Sequence, residues 1–194
     1  IWNLIRRCNL TCKHCYSISG DVDFPGELST EEVFHVMNDL KMFRVPVLIL
    51  SGGEPLMRRD IFEISERAKG MRFYVGLSSN GTLVDAGLAD RIRDIGYDYV
   101  GISLDGIGAT HDRFRGRAGA YDEALNGLRL LRDRGIKVGV RFTMTEDNAA
   151  GLIDISPLYK YEVSGRDAKR LISHIITRDI ERLDPGRVIY TPWC

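Results

Sequence analysis

No apolar stretch in the 194 residues approaches the length needed to cross a bilayer, so membrane-spanning roles have no segment to carry them. Net charge is missing too. Lys plus Arg and Asp plus Glu number 27 each, so no net field draws the chain to nucleic acid or to an anionic membrane. There is no low-complexity run and no internal repeat of fixed pattern. No secretion signal is visible, and the chain starts at Ile1 rather than methionine, as a piece of a longer protein would. Cysteine is scarce, at four residues, yet three of them crowd into eight positions. Crowded thiols without a secretion signal point to a reducing compartment, so a cytoplasmic location is expected. The length suits one domain with a sizeable core, or most of a larger one.

The crowded run is Cys8-Asn9-Leu10-Thr11-Cys12-Lys13-His14-Cys15-Tyr16. A loop this tight directs three thiolates at one inorganic centre, and no fourth is near, because Cys194 is the last residue. An iron–sulfur cube on three cysteines keeps one iron for a non-protein ligand, whereas structural sites are closed by four protein ligands. Structural zinc would want two CxxC pairs, or one CxxC with paired histidines, and the chain has neither. His14 sits inside the same turn and is expected to face away. The metal ligands expected are therefore Cys8, Cys12 and Cys15.

Strand and helix patterns alternate along the chain. Ile1–Ile5 reads as a strand leading into the cysteine loop. Ser29 and Glu32 form a capping box, before a helix with Val33, Val36, Met37, Leu40 and Phe43 inward. Val45–Leu50 is a continuous apolar run, expected as a strand buried on both faces. Asp60 is expected to cap the next helix and Gly70 to end it. Phe73–Leu77 follows as a strand, Asp85–Ile95 as a helix closed by Gly96, and Tyr99–Leu104 as a strand. A helix with Leu125, Leu128 and Leu131 inward runs to Gly135, and Ile136–Phe142 is a strand again. Such alternation predicts an α/β fold, a parallel sheet with helices outside and the polar motifs gathered at its C-terminal edge. Beyond Asn148 the pattern weakens to a helix over 167–183 and a possible sixth strand over 187–190.

The spacing C-x3-C-x2-C with an aromatic next resembles the signature of the radical S-adenosylmethionine (radical SAM) superfamily. Ser51-Gly52-Gly53-Glu54-Pro55 resembles its GGE motif. Ser103-Leu104-Asp105-Gly106 with His111-Asp112-Arg113-Phe114-Arg115-Gly116 resembles its SPASM-type branch. The resemblance implies a partial (β/α)6 barrel, incomplete at the C-terminus. Residues 1–148 would be the radical SAM core, and 149–194 a tail without the cysteine-rich SPASM-like region. It implies two cofactors, a [4Fe–4S] cluster and S-adenosylmethionine, whose methionine moiety chelates the open iron. Gly52, Gly53 and Glu54 would serve its ammonium, Ser103 would contact it, and Arg115 would pair with its carboxylate. Asp105 would meet the ribose or simply shape a turn, and His111 would hold loop structure. Asn80 and Arg141 would be polar groups around the cofactor, and Tyr16 would pack near the adenine. No catalytic side chain is assigned.

Longer stretches are more specific still. WNLIRRCNLTCKHCY, GELSTEEVF, VPVLILSGGEPL, FYVGLSSNGTL, YDYVGISLDG and GIKVGVRFTMTEDNA together resemble the haem d1 biosynthesis (NirJ type) radical SAM proteins over residues 1–148. That resemblance implies a tetrapyrrole substrate that loses propionate side chains, and an external electron donor such as a flavodoxin or ferredoxin. Arg113, Arg115 and Arg141 would give its pocket a cationic rim, with Tyr16, Phe114 and Phe142 as flat apolar surface. The alternatives are a haem-precursor decarboxylase, a peptide-modifying relative, or a truncated and inactive cluster-binding protein.

Overall fold

Five strands, β1 (Trp2–Asn3), β2 (Val47–Ser51), β3 (Tyr74–Ser79), β4 (Tyr99–Ser103) and β5 (Val138–Arg141), form one parallel sheet in sequence order. The computed structural model describes residues 1–143, so the expected helix over 167–183 and strand over 187–190 lie outside the described residues. Between the strands run α1 (Thr30–Met42), α2 (Ile61–Gly70), α3 (Ala86–Ile95), α4 (Ala109–Arg115) and α5 (Ala120–Asp133). None of the described helices is long and apolar enough to cross a membrane.

Register and alternation give the sheet two unlike faces. Leu50 pairs with Leu77, Leu77 with Val100, and Val100 with Val138, and these side chains face the helices. Leu50, Val75, Leu77, Val100 and Ile102 are completely buried there, packed with Val33, Met37, Ile64, Ala89, Ile92 and Leu131. Each such burial contributes about 1.5–3 kcal/mol. The other face carries Ile49, Gly76, Ser78, Tyr99, Gly101, Ser103, Gly139 and Arg141. Here large side chains lean over glycines. A methyl on Gly101 would lie 2.7 Å from Arg141 Cδ, and one on Gly139 would lie 2.3 Å from the Tyr99 hydroxyl. The polar motifs follow the C-terminal ends of β2, β3 and β4, as strand–helix alternation requires.

Local expectations fare unevenly. The capping box forms: Ser29 N donates to Glu32 Oε2 at 2.8 Å, and Glu32 N donates to Ser29 Oγ at 3.3 Å. Asp85 caps α3 through Leu88 N at 2.7 Å, and Gly96 ends it in the left-handed region. Phe43, expected inward, is 82% exposed, because α1 stops at Met42 and Arg44 turns the chain at φ 58°. Asp60 occupies the N-cap position of α2 but caps nothing, since Arg58 and Thr30 claim its carboxylate. Helix α2 does end at Gly70, its last helical residue, but the left-handed turn beyond it falls to Arg72 at φ 62°. The inward face of α5 is Ala120, Ala124, Gly127 and Leu131, with Leu128 at its flank and Leu125 only half-buried. Helix α5 lies too close for larger groups there, as a methyl on Gly127 would stand 2.4 Å from Gly81 O. The run Val45–Leu50 is not buried throughout, because Val47 at the strand's start is 42% exposed.

Candidate cofactor site

With β1 only two residues long, backbone pairing beyond the strand fixes the cysteine loop. Leu4 N donates to Ser51 O at 2.9 Å, Gly53 N to Ile5 O at 2.6 Å, and Glu54 N to Arg7 O at 2.8 Å. The two glycines make that approach possible. A methyl on Gly52 would lie 2.2 Å from Ile5 O, and one on Gly53 would lie 2.3 Å from Arg7 O. The loop is closed at its base by Cys8 N to Gly20 O, 3.0 Å, and docked on α4 by Lys13 N to Phe114 O, 3.0 Å. Below it, Cys8 and Leu10 pack on Ala120. Asn9 ties it to the β3 end, accepting from Asn80 Nδ2 at 2.8 Å and donating to Thr82 Oγ1 at 2.9 Å.

Cys8, Cys12 and Cys15 are free thiols, and each sulfur has polar company. Asn80 Nδ2 stands 3.9 Å from Cys8 Sγ, and Arg115 Nη1 stands 3.6 Å from Cys12 Sγ. Cys15 Sγ has the Ser17 hydroxyl at 3.4 Å and the Ser19 amide at 3.5 Å. Burial pushes the Cys8 thiol up to about 11 and raises Cys12 as well, against the pull of Arg115. Burial also acts on Cys15, but hydrogen bonds with Ser17 and Ser19 outweigh it and bring that thiol down to about 7. Among the described residues no three His, Cys, Asp or Glu side chains gather on a single-ion site. Three free cysteines with polar groups at their sulfurs are a donor set that fits an iron–sulfur cluster.

Glu54 is fully buried. Its Oε1 accepts from Ser79 Oγ at 2.9 Å and Leu56 N at 3.1 Å, and its Oε2 from Asn80 N at 2.8 Å. Burial pushes its carboxyl up to about 7 despite these donors. Asn80 also holds Thr82 through its Oδ1, so it serves the turn and the cysteine loop together.

Asp105, fully buried, forms an ion pair with Arg115 Nη2 and accepts from Thr143 N at 2.8 Å through Oδ1. Its amide donates to His111 Nδ1 at 3.0 Å, which makes His111 a loop-holding residue. Burial, and next Arg115, lower His111 to about 4, so its ring is neutral at pH 7. His14 does not turn outward as expected: Nε2 lies 3.6 Å from Asp105 Oδ2 and the ring rests on Phe114, centroids 4.6 Å apart. Burial lowers its pKa although Asp105 pulls the other way. Ser103 and Arg141 are register partners at the sheet's C-terminal edge. Tyr16 is 76% exposed, its hydroxyl 3.1 Å from Asn3 Oδ1. The structure thus gathers the cysteines, Gly52, Gly53, Glu54, Asn80, Asp105 and Arg115 around one loop, whereas Ser103 and Arg141 stand paired at the end of the sheet and Tyr16 stands in solvent. Sequence reasoning missed Asn9, Thr82, Ser17 and Ser19. Asn9, between two ligand candidates, carried a usable signal; the serines, in an irregular loop, carried none.

Comparison with known proteins agrees with this geometry. The model of the Radical SAM superfamily matches residues 2–154, and that of the GCVT N-terminal domain matches 140–194. A pre-heme d1 synthase of Dinoroseobacter shibae is 54% identical over 176 residues, covering 91% of this chain and 43% of the relative. An Fe-coproporphyrin III synthase of Methanosarcina barkeri is 48% identical, covering 84% and 41%. The chain thus spans less than half the length of these curated relatives. Among solved structures, Streptococcus suis SuiB superposes with TM-score 0.67 at 15% identity, over 79% of this chain and 34% of that one. Native anSMEcpe with bound AdoMet gives 0.59 at 23%, over 71% and 41%. Residues 2–154 carry the superfamily's sequence pattern, and the parallel sheet carries its fold: the chain belongs to the radical SAM superfamily.

Proposed function

We propose that this chain is the S-adenosylmethionine-cleaving core of an enzyme that removes propionate side chains from a tetrapyrrole. The observation that carries the proposal is the loop of three free cysteines at the sheet's C-terminal edge, with a polar donor at every sulfur. Cys8, Cys12 and Cys15 would hold a [4Fe–4S] cluster. With S-adenosylmethionine bound, such a cluster supplies reductive cleavage of the sulfonium to methionine and a 5′-deoxyadenosyl radical, using an electron from an external flavodoxin or ferredoxin. The chain's own residues bind and orient. The Gly52–Glu54 turn takes the ammonium of the methionine moiety, and Arg115 takes its carboxylate. A guanidinium suits that carboxylate because it meets it with more than one N–H. Ser103 and Arg141, from the sheet face away from the helices, and Tyr16, from the loop, would add contacts to the cofactor. The substrate must lie beside the 5′ carbon with water excluded.

The tetrapyrrole assignment is supported by the names of relatives 48–54% identical, a pre-heme d1 synthase and an Fe-coproporphyrin III synthase. A peptide substrate is the second reading, favoured by a mycofactocin maturase at 36% identity. Anaerobic reconstitution should give one four-iron cluster per chain, kept by Cys194→Ala and lost by Cys12→Ala. Dithionite and S-adenosylmethionine should then yield 5′-deoxyadenosine. Titrating a didecarboxysirohaem-like tetrapyrrole into the full-length enzyme should shift its visible absorption and couple 5′-deoxyadenosine to loss of side-chain mass. Stimulation by a precursor peptide alone would transfer the protein to the peptide-modifying branch, and zinc in place of iron would end the proposal.

A further inference from the structure

The polar groups at the three sulfurs differ in kind. Cys8 faces a neutral amide and Cys15 faces a hydroxyl and a backbone N–H. Cys12 faces a cation, Arg115 Nη1, at 3.6 Å. That guanidinium is 9% exposed, so solvent screens it weakly. It is also held in place. Asp105, with no exposure, grips Nη2, and Asp105 is itself fixed by Thr143 N and, through its own amide, by His111. Helix α4, which carries Arg115, is pinned against the cysteine loop, where a methyl on Gly116 would lie 2.5 Å from Thr11 O. Nothing here requires a buried charge to hold the loop. Lys13 N to Phe114 O and the Asn9–Asn80 pair already dock it. A fixed positive charge at one ligand sulfur has a further physical consequence, electronic in character.

We propose that Arg115, with Asp105 as its positioning residue, sets the reduction potential of the cluster through a charge-assisted hydrogen bond to Cys12 Sγ. The inference rests on the cluster assignment proposed above. In the step concerned, one electron passes from an external one-electron donor to the cluster. No bond breaks and no proton moves, so the cluster and its thiolates gain one negative charge. A guanidinium beside a sulfur that shares this charge stabilises the reduced form more than the oxidised one and raises the potential. Asp105 aims the guanidinium and orients it toward the sulfur, which a freely rotating arginine would not maintain. Nη1 faces the sulfur and Nη2 faces Asp105, so one guanidinium links the two.

The test is a dithionite-poised redox titration of the anaerobically reconstituted chain, followed by electron paramagnetic resonance without S-adenosylmethionine. Wild type, Arg115→Lys, Arg115→Gln and Arg115→Met are compared, each with its iron and sulfide content. The neutral variants should show an about tenfold lower ratio of reduced to oxidised cluster at a given solution potential, which is about 59 mV for a one-electron couple. The lysine variant, which keeps the charge, should return most of the way to wild type. A merely structural role would leave the potential unmoved. Neutral variants with four irons and the wild-type potential overturn the proposal. So does equal displacement by Lys and Gln, and so does loss of the cluster from both neutral variants, which would make the cation a requirement for holding it. A wild-type chain that takes up no four-iron cluster is a different failure. It overturns the cluster assignment itself and is seen before any variant is compared.

Discussion

The backbone N–H of Asn80 donates to Oε2 of Glu54 at 2.8 Å, which ties the end of β3 to the end of β2. From Asn80 the contact runs on to Asn9 and Cys8, so a buried carboxylate stands two steps from the cysteine loop. Three donors converge on Glu54, and Glu54→Ala strands all of them beside a new cavity. A buried donor left unmade costs about 1–3 kcal/mol, so a total loss on the order of 3 kcal/mol or more is expected. Urea unfolding should show it, and reconstituted Glu54→Ala should lose iron faster than wild type under a chelator. Wild-type stability with weaker cofactor binding alone would mean that Glu54 does not hold the site together.

Much of this was legible in the sequence. The β/α alternation, the capping box of α1 and the left-handed glycine after α3 are local signals, and they form as expected. Asp60 and Phe43 misled because their fates depend on distant partners. Arg58 outcompetes the helix for Asp60, with Nε to Oδ1 at 2.7 Å, and early termination of α1 leaves Phe43 outside. The glycines of SGGE were legible as a close-approach motif. That the chain they admit is the segment leading into Cys8 follows from tertiary pairing, which no spacing encodes. The Arg115–Asp105 pair was hidden likewise, since each residue carried a separate expectation and only the fold makes them partners.

Arg72 offers a stability test with no functional consequence. It is exposed, sits just after α2 at φ 62°, and pays the penalty of a side chain in the left-handed region. Glycine adopts that conformation without strain, although it loses more backbone entropy on folding. Arg72→Gly should therefore raise stability by about 0.5–1 kcal/mol, measurable as a higher urea midpoint at unchanged slope. A lower midpoint would show that the arginine makes compensating contacts.

Gly127 should behave in the opposite way. Alanine is the better helix former by about 1 kcal/mol, yet its methyl would stand 2.4 Å from Gly81 O and 3.0 Å from Val84 Cβ. The obstacle is backbone, so α5 must shift. Gly127→Ala is expected to destabilise by about 1–3 kcal/mol, read by thermal unfolding. An unchanged or higher midpoint would mean that α5 packs less closely on the β3–α3 turn.

Acid should weaken the fold through His111. Burial, then Arg115, hold its folded pKa near 4, against an ordinary value of 6.5. Between these values the unfolded chain binds a proton that the folded chain refuses, so the contribution is full above pH 6.5 and is lost as pH falls through about 4. It should be on the order of 2 kcal/mol for a ring this buried. In His111→Gln, whose carbonyl can still accept from Asp105 N, this dependence disappears. The stability difference between wild type and variant should grow in favour of wild type as pH rises from 4 to 6.5, in urea titrations at each pH. A pH-independent difference would contradict it.

Asn80 allows the fold and the cysteine loop to be separated. Its backbone N–H serves Glu54, and no side-chain change removes that bond. Its side chain serves the Cys8 sulfur and Asn9 through Nδ2, and the Thr82 amide and hydroxyl through Oδ1. Asn80→Ala therefore keeps the link between β2 and β3 while releasing the loop and loosening one turn. Losing hydrogen bonds of this partly buried kind should cost about 1–2 kcal/mol of stability, small beside the effect of Glu54→Ala. The consequence at the loop should be larger in proportion, because the Cys8 sulfur would lose its amide neighbour and Asn9 would lose the partner that holds it. Asn80→Ala should take up iron and sulfide on anaerobic reconstitution, yet lose them several-fold faster than wild type to air or chelator. Asn80→Asp provides the contrast. It can keep the Thr82 contacts through a carboxylate oxygen but brings negative charge toward a thiolate, so its cluster should be less persistent than that of the alanine variant. If both variants hold iron as long as wild type, the Asn80 side chain belongs to the turn alone.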